Sequence, residues 1–166
     1  MRALQTAALL VATLGAGLMA GLFAAFAYAV MPGLARSADR TFVQAMQHIN
    51  RAILNGWFLV SFLLPIPLLV LATVLAWNGH GRVALPWILA ALVLYLAGFF
   101  VTSGVNVPLN NALDKADTGD HSRAEAARAA FEGRWATWNT VRALLHTVAF
   151  GLLAWALFLH GTAGAV

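Results

Sequence analysis

A chain of 166 residues in which 61% are hydrophobic and only 10% charged lies far from the composition of a water-soluble domain, and its length suits one compact set of membrane-spanning helices. The net charge of +4 is carried at the ends of apolar runs, which suits anionic lipid headgroups and gives no reason to expect a nucleic-acid partner. With no cysteine, disulfides, thiol catalysis and thiolate metal sites are excluded.

The first apolar run, 6–31, holds no charge and at about 1.5 Å per residue crosses a hydrocarbon core of roughly 30 Å. Its start also fits a secretory signal, with Arg2 ahead of the apolar region and an Ala-x-Ala pattern at Ala27-Tyr28-Ala29. The run exceeds the usual ~7–15 apolar residues of such a signal, so a first span is expected. Gly17 and Gly21 form a small-xxx-small pair through which a second copy could associate. Pro32 and Gly33 are expected to end this helix.

A second helix, capped by Ser37 or Asp39, is expected to run unbroken into the second span, 53–77, and so to project beyond the bilayer. On its polar half Gln44, Gln47, His48, Arg51 and Asn55 fall within about 100° of one another, with Asn50 beside them. Pro65 and Pro67 should kink the span and free the carbonyls of Ser61 and Leu63.

Asn78-Gly79-His80-Gly81-Arg82 reads as a tight turn before the third span, 85–105. Asn106-x-Pro108-x-Asn110 then predicts a break in the helix, with carbonyls left free beside two amides. After a polar loop, 114–121, Ser122-x-x-Glu125 reads as a capping box opening a last helix that reaches about residue 159 and crosses the membrane over 141–159. In that helix Trp135, Asn139, Arg142 and His146 are spaced by four, three and four, one stripe of a 3.6-residue period. An arginine carried into a bilayer costs roughly 2 kcal/mol or more, so a partner or a watered pocket is expected around it. The plainer reading is an interfacial anchor with an aromatic belt.

Lys and Arg cluster in the two long connections, around 36–51 and 115–142, against Arg2 and Arg82 on the other side. By the positive-inside rule the long connections face the cytoplasm and both termini lie outside, in the cytoplasmic (inner) membrane. The expected architecture is all-α: an integral membrane four-helix bundle forming one domain, 1–166. Helices 2 and 4 would extend beyond the bilayer on the cytoplasmic side, where the three polar groups meet.

Five elements together resemble a known family: Gly21-Leu22-Phe23-Ala24-Ala25-Phe26, Met31-Pro32-Gly33-Leu34, Gln47-His48-Ile49-Asn50-Arg51, Asn106-x-Pro108-x-Asn110 and Trp135-x-x-Trp138-Asn139-x-x-Arg142. This pattern is similar to the anthrone-oxygenase-like family of small four-span membrane proteins, over about residues 15–146. The resemblance implies a four-span fold and, for some members, oxidation of an anthrone to an anthraquinone with molecular oxygen.

No Asp or Glu lies in any span, and no hydrolase or nucleotide-binding motif is present. An anthrone loses a methylene proton to give an electron-rich carbanion that reacts with oxygen without a cofactor. Such chemistry needs a base, donors for the developing oxyanion and flat apolar walls. His48 or His146 is the candidate base, and Arg142 with Asn139, Asn106 and Asn110 would stabilise the enolate. Trp135 and Trp138 would wall the site, and Gln47, Asn50, Arg51 and Asn55 would complete the surface for a hydrophobic aromatic ligand. Two other classes remain: a haem- or metal-carrying bundle ligated by His48 and His146, and a non-enzymatic protein binding a lipid or quinone-like molecule.

Overall fold

The computed structural model describes residues 2–77 and 80–162, and among these it is mostly helical, without a strand. Four helices are long and apolar enough to cross a membrane: α1, Arg2–Leu34; α3, Gly56–Trp77; α4, Leu85–Asp114; and α5, His121–Thr162. A shorter amphipathic helix, α2, Asp39–Ala52, joins α1 to α3. Hydrocarbon offers the backbone no hydrogen-bond partner, so apolar segments of this length close their hydrogen bonds within helices. Hydroxyls follow the same rule: Thr13, Thr73, Thr102 and Thr147 each donate to the carbonyl four residues earlier.

Around the bundle, α5 packs along both α1 and α4, and α3 fills the remaining side between them. Towards the chain termini the core is largely alanine, with Ala8, Ala12, Ala16, Ala72, Ala76, Ala91, Ala149 and Ala156 meeting around Leu9, Leu69, Ile88 and Leu153. Small side chains let backbones approach, which is how helices gain contact when lipid is as apolar as the core. At the opposite end, where α1 leads into α2 and α4 into α5, the core is built from Phe26, Phe42, Met46, Phe131 and Trp135. Outward positions such as Leu14, Val93 and Leu144 are more than 60% exposed and apolar, as a lipid-facing surface requires. The two ends of the chain meet: Arg2 Nη2 donates to the carbonyls of His160 and Gly161, and Thr6 Oγ1 lies 3.0 Å from His160 Nε2.

Several helix boundaries differ from the sequence expectation. Pro32 does not end α1, and Pro108 does not break α4. Each lies two residues after a five-residue π-turn, Phe26–Val30 and Thr102–Asn106, and the wider turn accommodates a residue that can neither donate nor tolerate the carbonyl four back. The Ala27–Ala29 pattern lies inside the first of these turns, in a helix packed along α5. The chain between α1 and α3 is not one continuous rod. It breaks at 53–55, where Asn55 Oδ1 accepts from Phe58 N at 3.1 Å and caps α3.

Neither Ser37 nor Asp39 caps α2: its N-cap is Ala38, and the Ser37 hydroxyl donates to Leu34 O. Asp120, not Ser122, caps α5, accepting from Ser122 N at 3.1 Å. The kink expected in α3 is present at Leu64. There Tyr95 Oη donates to Phe62 O at 2.9 Å and approaches Ser61 O at 3.4 Å, satisfying carbonyls that Pro65 and the bend leave open. Of the turn expected at Asn78–Arg82, Asn78 and Gly79 lie outside the described residues, and His80–Val83 forms a 3₁₀ turn.

Candidate functional site

The stripe on α5 turns inward. Trp135, Asn139, Arg142 and His146 are all buried, Arg142 to 6% exposure. Its guanidinium has no carboxylate partner among the described residues. Instead Nε and Nη2 donate to Asn139 Oδ1 at 3.2 and 3.0 Å, and Nη1 reaches Thr102 Oγ1 at 3.4 Å. Asn139 is oriented for this by its own Nδ2, which donates to Phe23 O at 3.0 Å. The charge lies 4.0 Å from the centre of the Phe23 ring and 5.2 Å from that of Trp135. A desolvated cation over an aromatic face is stabilised by about 2 kcal/mol, and this takes the place of the missing anion. Two of the five guanidinium N–H donors remain without a protein acceptor among the described residues.

Arg142 is one of the residues lining a cavity of about 320 Å³. Phe58, Phe62 and Phe99 form one wall, with successive ring centres 5.4 and 5.6 Å apart and nearly parallel planes. Phe26 and Trp135, 5.6 Å apart, line the cavity as well. Trp135 is held by its Nε1, which donates to Asn110 Oδ1 at 2.7 Å. Thr102, Ser103 and Asn110 add polar lining, while Asn50, Arg51, Asn111 and Asp114 come from the ends of α2 and α4. Arg51 Nε donates to Asp114 Oδ1 at 2.6 Å, joining those two helix ends over the cavity. The arrangement suits a flat apolar molecule bearing an anionic or strongly accepting oxygen.

A family model described as anthrone oxygenase matches residues 55–152, more than half of the chain. The chain belongs to the anthrone oxygenase family. In this anthrone oxygenase relative the match takes in the Asn106–Asn110 and Trp135–Arg142 elements, while α1 and α2 lie outside it. No match was found among curated proteins or among solved structures.

Apart from His146, the expected site residues divide into three groups. Asn50, Arg51, Asn110, Trp135 and Arg142 line the cavity. Asn139 and Asn106 lie beneath it, fully buried: Asn139 orients Arg142, and Asn106 Nδ2 donates to Trp135 O at 3.3 Å. Four others lie elsewhere. His48 is exposed and contributes nothing to the cavity surface; Trp138 is half-buried and likewise outside it; Asn55 is an exposed helix cap. Gln47 Nε2 donates to Leu113 O and Ala116 O, closing the end of α4.

His146 is fully buried but behind the wall, 5.1 Å from Phe23 and 4.7 Å from Tyr95 ring centre to ring centre. Its Nδ1 donates to Arg142 O at 2.7 Å, leaving Nε2 without a partner among the described residues. The structure therefore does not place His48 and His146 in one shared site, and among the described residues no three His, Asp or Glu side chains gather as metal ligands. The phenylalanines, Thr102 and Asp114 also line the cavity and lie outside the set expected from the sequence. The Phe23–Phe26 spacing is a usable signal for two of them, whereas Asp114 falls at the start of the expected 114–121 loop.

Proposed function

We propose that this protein is an O₂-dependent oxygenase that converts an anthrone-type aromatic to a quinone without a cofactor, at a cavity facing the cytoplasm. The observation that carries the reading is Arg142, a buried guanidinium with no carboxylate partner among the described residues, on the lining of an aromatic-walled cavity. Loss of a methylene proton from an anthrone places negative charge on the carbonyl oxygen, and donors already aimed at that oxygen stabilise the charge without the reorganisation that water needs. Phe58, Phe62 and Phe99 offer the face on which a planar ring system stacks. The carbanion then combines with O₂, and the site supplies the flat pocket and the positive charge.

Oxygen uptake by detergent-purified protein with a simple anthrone tests the reading. Arg142→Ala is expected to lose 10²-fold or more in turnover, the scale of removing one oxyanion donor. Arg142→Lys, which keeps the charge without the planar fork, is expected to fall between. Binding of the aromatic without any uptake in the wild type would instead make this a carrier.

A further inference from the structure

Proton abstraction needs a base within reach of the ligand, and neither histidine provides one: His48 is exposed away from the cavity, and His146 is sealed behind Phe23 and Phe62. One carboxylate lines the cavity among the described residues. It belongs to Asp114, on the last turn of α4. Its Oδ1 is held by Arg51 Nε, while Oδ2 has no hydrogen bond among the described residues. The other titratable groups on the lining, Arg51 and Arg142, are cations and cannot take a proton. Asp114 and Arg142 thus offer an acceptor for a proton and a stabiliser for the charge it leaves behind, on two different helices around one aromatic cavity.

We propose that Asp114 is the general base of the reaction proposed above, an assignment that rests on that reading, and that it acts twice in each turnover. In the first half, Asp114 Oδ2 takes a methylene proton. The C–H electron pair passes into the ring system and onto the oxygen facing Arg142. The carbanion forms a C–O bond with dioxygen, and the resulting peroxide anion recovers the proton from Asp114. In the second half, Asp114 takes the remaining proton from the same carbon. That electron pair makes the new C=O bond as the O–O bond breaks and hydroxide leaves, and Asp114 returns the proton to hydroxide as water. A methylene and O₂ become a carbonyl and water, the carbon is oxidised, dioxygen is reduced, and the carboxylate ends as it began. Arg51 is a positioning residue, holding Oδ1 so that Oδ2 is left free for the substrate.

The test compares Asp114→Asn, Asp114→Glu and Arg51→Ala in oxygen uptake with an anthrone and with its methylene-dideuterated form. Asp114→Asn is expected to lose 10²-fold or more, the usual scale of a general base. Raising the pH until the anthrone ionises by itself is expected to restore its turnover. Asp114→Glu is expected to keep at least a tenth of the rate, Arg51→Ala to lose less than tenfold, and the wild type to turn over the deuterated substrate more slowly. Equal losses in Asp114→Asn and Arg51→Ala, with no recovery at high pH, would mean that the ion pair merely ties two helices together and would overturn the assignment. Wild-type turnover that survives Asp114→Asn intact would overturn it too, leaving the oxygenase reading standing; no uptake in the wild type would remove both.

Discussion

A buried arginine is a costly residue to place, and the cost explains much of what surrounds it. Phe23 supports the charge from one face, Asn139 fixes its direction, and Asn139 is itself fixed by the Phe23 carbonyl. One turn further along α5, His146 accommodates its ring only because residue 98 has no side chain. A Cβ there would lie 2.2 Å from His146 Cε1. Gly98→Ala should therefore destabilise by at least the ~1–3 kcal/mol of overpacking, read as an earlier thermal unfolding in detergent. An unchanged midpoint would mean that His146 does not pack as described. His48→Ala should leave anthrone-dependent oxygen uptake within twofold of wild type, since that ring is exposed outside the cavity. A tenfold loss would return it to the site.

At this scale the sequence was informative about the inward stripe, because four polar or aromatic residues at spacings of four, three and four can only share one helix face. It could not distinguish a side chain on the cavity from one a layer behind it. His146 and Arg142 lie on the same stripe, yet only Arg142 reaches the lining.

Helices with built-in irregularities bring the two halves of the site together. The π-turn at Thr102–Asn106 lets α4 pass Pro108 and continue to Asp114, carrying Asn110 and Asp114 to the cavity. Sequence rules treat proline as a stop and so placed Asp114 in a loop; the compensating π-turn has no signature of its own. The break at 53–55 works in the opposite sense. An apparently continuous apolar pattern hides the Asn55 cap that frees α2 from the line of α3.

A second device orders the connection into α5. Arg128, 15% exposed at its side chain, donates to Ala35 O, Ser37 O and Asp39 Oδ1 and so ties α5 to the turn between α1 and α2. In the preceding loop, the Gly119 N–H and the Arg123 side chain hold the Asp117 carboxyl below the usual carboxylate range. A value lower in the folded chain than in the unfolded one means that the ordering is present above the unfolded value. It is lost as pH falls through the folded value. Amide exchange at Gly119, taken relative to its intrinsic rate, should stay slow at neutral pH and quicken only once the pH has dropped below the ordinary aspartate value of about 3.9. In Asp117→Asn it should be fast at every pH; wild-type protection that ignores pH would contradict this role.

Over the whole molecule, a tightly packed alanine core occupies one part of the bundle, and the cavity is lined from the aromatic clusters outside it. Composition and run length were enough to read the four membrane-crossing helices, since hydrocarbon leaves a long apolar segment little choice but helix. Self-association was less legible. Gly17 in fact serves contact inside the bundle, where a Cβ would lie 3.0 Å from Phe150 Cε2, while Gly21 faces open space. A small-xxx-small pair looks the same in sequence whether it meets another chain or another helix of its own.

The central claim is that Arg142 stabilises the anion of a flat aromatic ligand in this cavity. It is tested most directly without oxygen, by titrating a hydroxyanthrone into detergent-solubilised protein under anaerobic conditions at neutral pH and recording the absorbance of the bound ligand. Wild-type protein is expected to bind the anthrone as its coloured anion, and Arg142→Ala to bind it, if at all, in the neutral form. An anthrone that binds the wild type and stays neutral, or ionises equally in both proteins, would contradict it.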